Sequence, residues 1–122
     1  MSDLSRNKIE QSIRDRKKLH PQFIDKIKTY KPFLDLEEKA FGDGALSKKS
    51  KELMALSISI VTKCEPCMEW HLDQALQAGA SDEEVYETID VAIEMGGGQA
   101  GAYARFVLNA LAYFKEKEKT VD

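Results

Sequence analysis

The sequence predicts a single all-α domain. Apolar residues recur at three- and four-residue spacing through most of the chain, as in Val85, Tyr86, Ile89, Ala92 and Ile93, which is the period of a helix with one buried face. Helix punctuation stands where those runs begin and end: Ser47 and Ser81 before them, Gly79 and Gly96-Gly97-Gly98 after. A second run able to pair as a strand is missing, so a sheet has nothing to build on.

Residues 4–19 carry Leu4, Ile9, Ile13 and Leu19 among many charges, a weakly amphipathic helix suited to a packing arm or a subunit contact. His20-Pro21 is expected to break it, because the residue before a proline is biased away from helix. Phe23, Ile24, Ile27 and Tyr30 resume helical spacing, Pro32 punctuates again, and Phe33, Leu34, Leu36, Ala40 and Phe41 form a third short helix. Gly42-Asp43-Gly44 is a loop. Ser47 caps the next helix. Its body, Leu53 to Val61, is apolar nearly all round, which a buried strand would also allow; the helix-forming start and the missing pairing partner favour a central helix.

The second half is plainer. Residues 65–78 form a helix closed by Gly79. Ser81-Asp82-Glu83-Glu84 is a capping box that opens the next one. The glycine triplet ends that helix, and the last runs from about Gln99 to Glu116, with Tyr103, Phe106, Val107, Ala110, Leu111 and Phe114 on one side and a small-residue face of Ala100, Gly101 and Ala104. The expected total is six or seven helices. The expected organisation is a helical arm over 1–44, a core over 45–117 and a tail over 118–122, with Lys115-Glu116-Lys117-Glu118-Lys119 expected as a solvated, fraying end.

With 122 residues and a net charge of −3, the chain fits one small core and lacks the basic stretch that tracks a phosphate backbone, so nucleic acid is not an expected partner. No apolar run approaches the roughly 20 residues of a membrane span. The polar stretch Met1 to Arg16 does not read as a signal peptide. A cytoplasmic home is expected, where a close cysteine pair is more often catalytic or metal-binding than a staple.

Both cysteines lie in Cys64-Glu65-Pro66-Cys67-Met68-Glu69-Trp70-His71. At a helix start, Cys64 and Cys67 lie one turn apart on nearly the same face, and His71, four residues on, shares that face. Pro66 suits the first turn. The free N–H groups there favour a negative sulfur, and a helix N-terminus or an adjacent imidazolium lowers a thiol well below its usual pKa of ~8.5. The stretch thus offers a thiolate, a partner thiol and a base, the equipment of a redox-active dithiol. Zinc would want four ligands; Cys64, Cys67 and His71, with Glu52 or His20 as a fourth, make a poor set. A c-type haem needs His directly after the second cysteine, where Met68 stands. A thioredoxin-like fold lacks its strand–helix–strand pattern. Glu52, twelve residues before Cys64, stands where the charged start of its helix meets the apolar body; drawn inward, it would carry protons to and from His71.

The pattern Glu52, Cys64-x-x-Cys67, His71, followed by Gly79-Ala80-Ser81-Asp82-Glu83-Glu84 and Gly96-Gly97-Gly98, resembles the alkylhydroperoxidase D-like branch of the carboxymuconolactone decarboxylase family over roughly residues 45–115. The resemblance implies an all-helical domain assembling into homo-trimers or homo-hexamers. It implies thiol-dependent reduction of hydroperoxides, with Cys67 attacking the peroxide, Cys64 resolving the sulfenic acid, and Glu52 and His71 as a proton relay. It implies a thiol or dithiol reductant protein, lipoyl-bearing or thioredoxin-like, and requires no organic cofactor or metal. Two other readings remain open: a redox-sensing or thiol–disulfide module with little peroxidase turnover, and a decarboxylase-like enzyme on the same fold.

Overall fold

The computed structural model describes residues 1–119; of the expected tail, 120–122 lie outside the described residues. Five helices follow one another with short connections: α1 (Asp3–Lys26), α2 (Tyr30–Phe41), α3 (Lys48–Val61), α4 (Glu65–Gln77) and α5 (Asp82–Lys119). Among the described residues there is no strand. No helix among them is long and apolar enough to cross a membrane.

The core sits where α3, α4 and α5 meet. Leu56 and Ile60 of α3, Met68 and Leu72 of α4, and Val85, Ala92, Val107 and Ala110 of α5 are fully buried. The last helix is two segments joined at Gly97, whose φ of 72° is closed to most side chains. The glycine triplet, expected to end that helix, instead redirects it, and the helix resumes beyond Gly97. Its neighbour Gly96 lies against α3: a Cβ there would come within 2.8 Å of the Ala100 Cβ and 3.4 Å of Val61. Beyond the bend, Ala100 and Ala104 are buried, whereas Tyr103, expected on the packed side, is 37% exposed. Small side chains let the two helices approach, and the bulky ring stays outside.

The break expected at His20-Pro21 does not occur. Pro21 lies inside α1, so the first two expected helices are one. Pro21 forfeits only a bond to the carbonyl of Lys17, on a face open to water. Packing beyond it holds the helical course: Phe23 meets Tyr30 with ring centroids 5.1 Å apart, and the hydroxyl of Tyr30 lies 2.6 Å from His20 Nδ1. The helix stops at Lys26 instead, where the Ile27 N–H still reaches the Phe23 carbonyl. Pro32 falls in the first turn of α2, where an N–H has no partner to lose.

The first helix is fastened by charge as well as by its apolar stripe. Leu4 is 82% exposed, while Ile9 is fully buried in the core. Along the adjacent face, Lys8 reaches Glu65 at 2.8 Å, and Ser12 and Arg16 reach Glu69 at 3.3 and 3.0 Å. Steps of four on α1 thus meet a step of four on α4. The far end of α5 is held in the same way: Lys115 pairs with Asp82 and Glu116 with Arg6, each at 2.7 Å. Helix therefore persists to Lys119, past the point where fraying was expected.

Candidate active site

The link between α3 and α4 sets the site. The last turn of α3 closes with the Cys64 N–H on the Ser59 carbonyl at 3.0 Å and the Lys63 N–H on the Ile60 carbonyl at 3.1 Å, the paired bonds of a Schellman ending. That motif needs one residue in the left-handed region, and here it is Lys63, with φ 62°. The chain then turns directly into α4 with Cys64 as its N-cap. Cys64 Sγ accepts the Cys67 N–H at 3.3 Å, and Pro66 occupies the first turn as its fixed φ favours. The two sulfurs are joined as a disulfide, with Cα atoms 5.2 Å apart.

His71 lies one turn beyond Cys67 and is mostly buried. Its Nδ1 is 2.7 Å from Glu52 Oε1. Glu52 comes from α3 and is 2% exposed; its other oxygen, Oε2, accepts from Lys48 Nζ at 2.8 Å. Phe41 of α2 stacks on the imidazole, centroids 5.3 Å apart and planes 26° apart. Three helices therefore fix one imidazole. An ionised carboxylate only accepts hydrogen bonds. With an ammonium on Oε2, Glu52 takes the Nδ1–H of His71, and Nε2 is left free for chemistry.

A cavity of about 640 Å³ borders this group. Cys67 and His71 line it together with Tyr30, Phe33, Leu34 and Trp70, whereas Cys64 does not. A second cavity, about 520 Å³, adjoins it across Arg16, His20, Tyr30 and Pro66. Arg16 also stands over the Trp70 ring, 4.5 Å from its centroid. Much of both walls comes from α1 and α2, the region without a recognisable motif.

Of the residues singled out in the sequence, Cys64, Cys67, His71 and Glu52 come together. His20 does not join them: it bonds Tyr30 at the seam between the cavities. Among the described residues, no three His, Cys, Asp or Glu side chains converge as for a metal ion. Lys48 and Phe41 were not singled out. Lys48 left a signal, a lysine four residues before Glu52 on one helix. Phe41 left none, because its approach to His71 depends on how the 42–47 loop folds back. Glu69, fully buried and paired with Arg16, was equally invisible.

A helical core carrying a disulfide-bonded cysteine pair at a helix start, backed by a buried carboxylate–imidazole pair, defines the class of protein. The chain belongs to the carboxymuconolactone decarboxylase family, whose model matches residues 28–110, so family likeness reaches back across α2. An uncharacterised protein of the cox locus of Paracoccus denitrificans is 43% identical over 79 residues, covering 65% of this chain and 71% of its own length. An uncharacterised protein of Cupriavidus necator is 38% identical over 82 residues, covering 67% and 70% respectively. Among solved structures, a carboxymuconolactone decarboxylase family protein of Legionella pneumophila superposes with a TM-score of 0.84 at 31% identity, over 88% of this chain and 97% of its own. A Thermotoga maritima family member, suggested to take part in an antioxidative response, gives 0.81 at 33%, over 89% and 93%. The family includes both decarboxylases and peroxidases.

Proposed function

We propose that this protein is a thiol-dependent peroxidase that reduces organic hydroperoxides through Cys64 and Cys67. The observation that carries the reading is the cavity shared by Cys67 and His71, with Glu52 buried behind the imidazole. In the reduced protein, the free Nε2 of His71 takes the Cys67 thiol proton, the resulting thiolate attacks the distal peroxide oxygen and the O–O bond breaks. His71 gives its Nε2 proton to the departing alkoxide, and an alcohol and Cys67 sulfenic acid result. The Cys64 thiolate, at the N-cap where it accepts the Cys67 N–H, then attacks the sulfenic sulfur. The hydroxyl leaves as water with the proton that Cys64 gave up on becoming a thiolate, and the disulfide forms. A dithiol reductant returns both cysteines to thiols, so one hydroperoxide and one dithiol yield alcohol, water and disulfide. Cys67 is the attacking sulfur in this scheme because it, and not Cys64, lines the cavity.

The size and lining of that cavity favour an organic hydroperoxide over hydrogen peroxide. At about 640 Å³ it matches sites that hold whole organic ligands. We also propose self-association as a trimer or hexamer. Met54 and Ile58 of α3 and Val91, Met95 and Leu108 of α5 are between 48% and 73% exposed, a larger apolar display than a monomer of this size needs.

The test is consumption of cumene hydroperoxide and of hydrogen peroxide with dithiothreitol as reductant. Turnover with cumene hydroperoxide well above that with hydrogen peroxide is expected. Turnover with neither, from protein whose Cys64–Cys67 disulfide still forms and reduces readily, overturns the peroxidase in favour of a thiol–disulfide module.

A further inference from the structure

Both oxygens of Glu52 are engaged, and only one of them faces the chemistry. Oε1 holds His71, while Oε2 holds the Lys48 ammonium at 2.8 Å. Lys48 starts at the surface, its side chain 40% exposed, and reaches inward to a carboxylate that is 3% exposed. It does not border the cysteine cavity. It lines a smaller cleft of about 230 Å³ together with Glu52 itself and with Glu37 and Glu38 of α2. Lys48 is the cation among the residues lining that cleft, facing three carboxylates. Its Nζ also stands 5.8 Å from the centroid of Phe41, the ring that stacks on His71. An ordinary lysine–glutamate pair four apart on a helix contributes only a few tenths of a kcal/mol. This pair differs because one partner is buried: without Lys48, Glu52 is a buried charge with only an imidazole to compensate it.

We propose that Lys48 is a positioning residue of the dithiol site. Its ammonium engages Oε2 and so turns Oε1 of Glu52 to the Nδ1–H of His71, which leaves Nε2 as the atom that exchanges protons in the Cys67 cavity. Glu52 then orients His71, and the proton that Nε2 passes to the alkoxide is the one it took from the Cys67 thiol. The inference deepens the peroxidase reading and rests on it for its catalytic consequence, though its structural half stands without turnover.

The experiment compares full-length wild type, Lys48→Met and Lys48→Arg. The first readout is the His71 Nδ1 proton in the NMR spectrum of the oxidised protein. Wild type and Lys48→Arg should show it as a downfield, slowly exchanging resonance, and Lys48→Met should lose it to exchange. The second readout is steady-state turnover of cumene hydroperoxide. Lys48→Met should lose roughly tenfold or more in kcat, within the range positioned acid–base catalysis supplies, with KM little changed because Lys48 lies outside the substrate cavity. Lys48→Arg should recover most of the loss. Should Lys48→Met fail to fold by circular dichroism, Lys48→Gln takes its place with the same expectations. An unaltered resonance and kcat without the lysine overturns the proposal, as does a folded Lys48→Arg as impaired as Lys48→Met. If wild type turns over no hydroperoxide, the peroxidase reading fails, and the resonance still decides the role of Lys48.

Discussion

A neutral imidazole has one donor nitrogen and one acceptor nitrogen, and its surroundings choose which is which. At His71 that choice is made by Glu52 at 2.7 Å, with Phe41 holding the ring plane. Replacing Glu52 by Gln keeps the shape and removes the charge. The expected result is a kcat reduced by about ten- to a hundredfold, with both thiols still titrating after reduction. Full activity in Glu52→Gln would remove the carboxylate from the mechanism. Much of this site was legible in the sequence, because local helix geometry sets the Cys67–His71 offset and the N-cap place of Cys64. The meeting of Glu52 with His71 was not a matter of spacing alone. It depends on how α3 and α4 cross; the place of Glu52 between the charged start and the apolar body of α3 hinted at it, and the family pattern pointed to it. Phe41 and Glu69 were out of reach for the same reason: each acquires its role through contact with another helix.

At the scale of elements, the ending of α3 carries a cost that its sequence conceals. A lysine in the left-handed region is less comfortable than glycine by about 1 kcal/mol, and Lys63 has φ 62°. Its α4 counterpart, Gly79, meets the same demand with φ 95° and makes the same paired bonds. Lys63→Gly should therefore raise stability by roughly 0.5–1 kcal/mol in urea unfolding, and a destabilised variant would show that Lys63 holds the turn by other means. The start of α5 supplies a pH-dependent element. The Ser81 backbone N–H donates to Glu84, and Lys49 pairs with it at 2.9 Å, which together hold its carboxyl below the ordinary carboxylate range. A lowered folded pKa means that stability is fully present above the unfolded value and lost as pH falls through the folded one. Wild type should therefore be more stable than Glu84→Gln near neutrality, and thermal melts should show the difference closing under acid; a constant difference would contradict this. The capping box was readable because it is local. The passage of α1 through Pro21 was not, because contacts from α2, rather than α1 itself, hold the helix beyond the proline.

At the scale of the molecule, the packed core accounts for one side of α3 and the small-residue face of α5, and leaves much of their apolar surface outside. Ile58 at 61% exposure and Met95 at 73% leave most of their apolar surface outside the core of one chain. Light scattering should give the mass of three or six copies. Introducing charge with Ile58→Glu should shift the protein towards monomer while the helix content stays as it is. A monomeric wild type would instead leave these side chains to another partner. The all-α class was legible from periodicity and caps. The contribution of α1 and α2 to the cavity walls was not, because that region pairs a narrow apolar stripe with charges that make sense only opposite Glu65 and Glu69 of α4.

The central claim is that Cys67 is the sulfur that meets the peroxide. It is tested most directly by treating reduced Cys64→Ser with one equivalent of cumene hydroperoxide in the presence of dimedone and reading the intact mass and the modified peptide. One dimedone adduct on Cys67, with Cys67→Ser unreactive under the same conditions, is the predicted result. An unmodified Cys67 in Cys64→Ser beside a sulfenic acid trapped at Cys64 in Cys67→Ser would contradict the account.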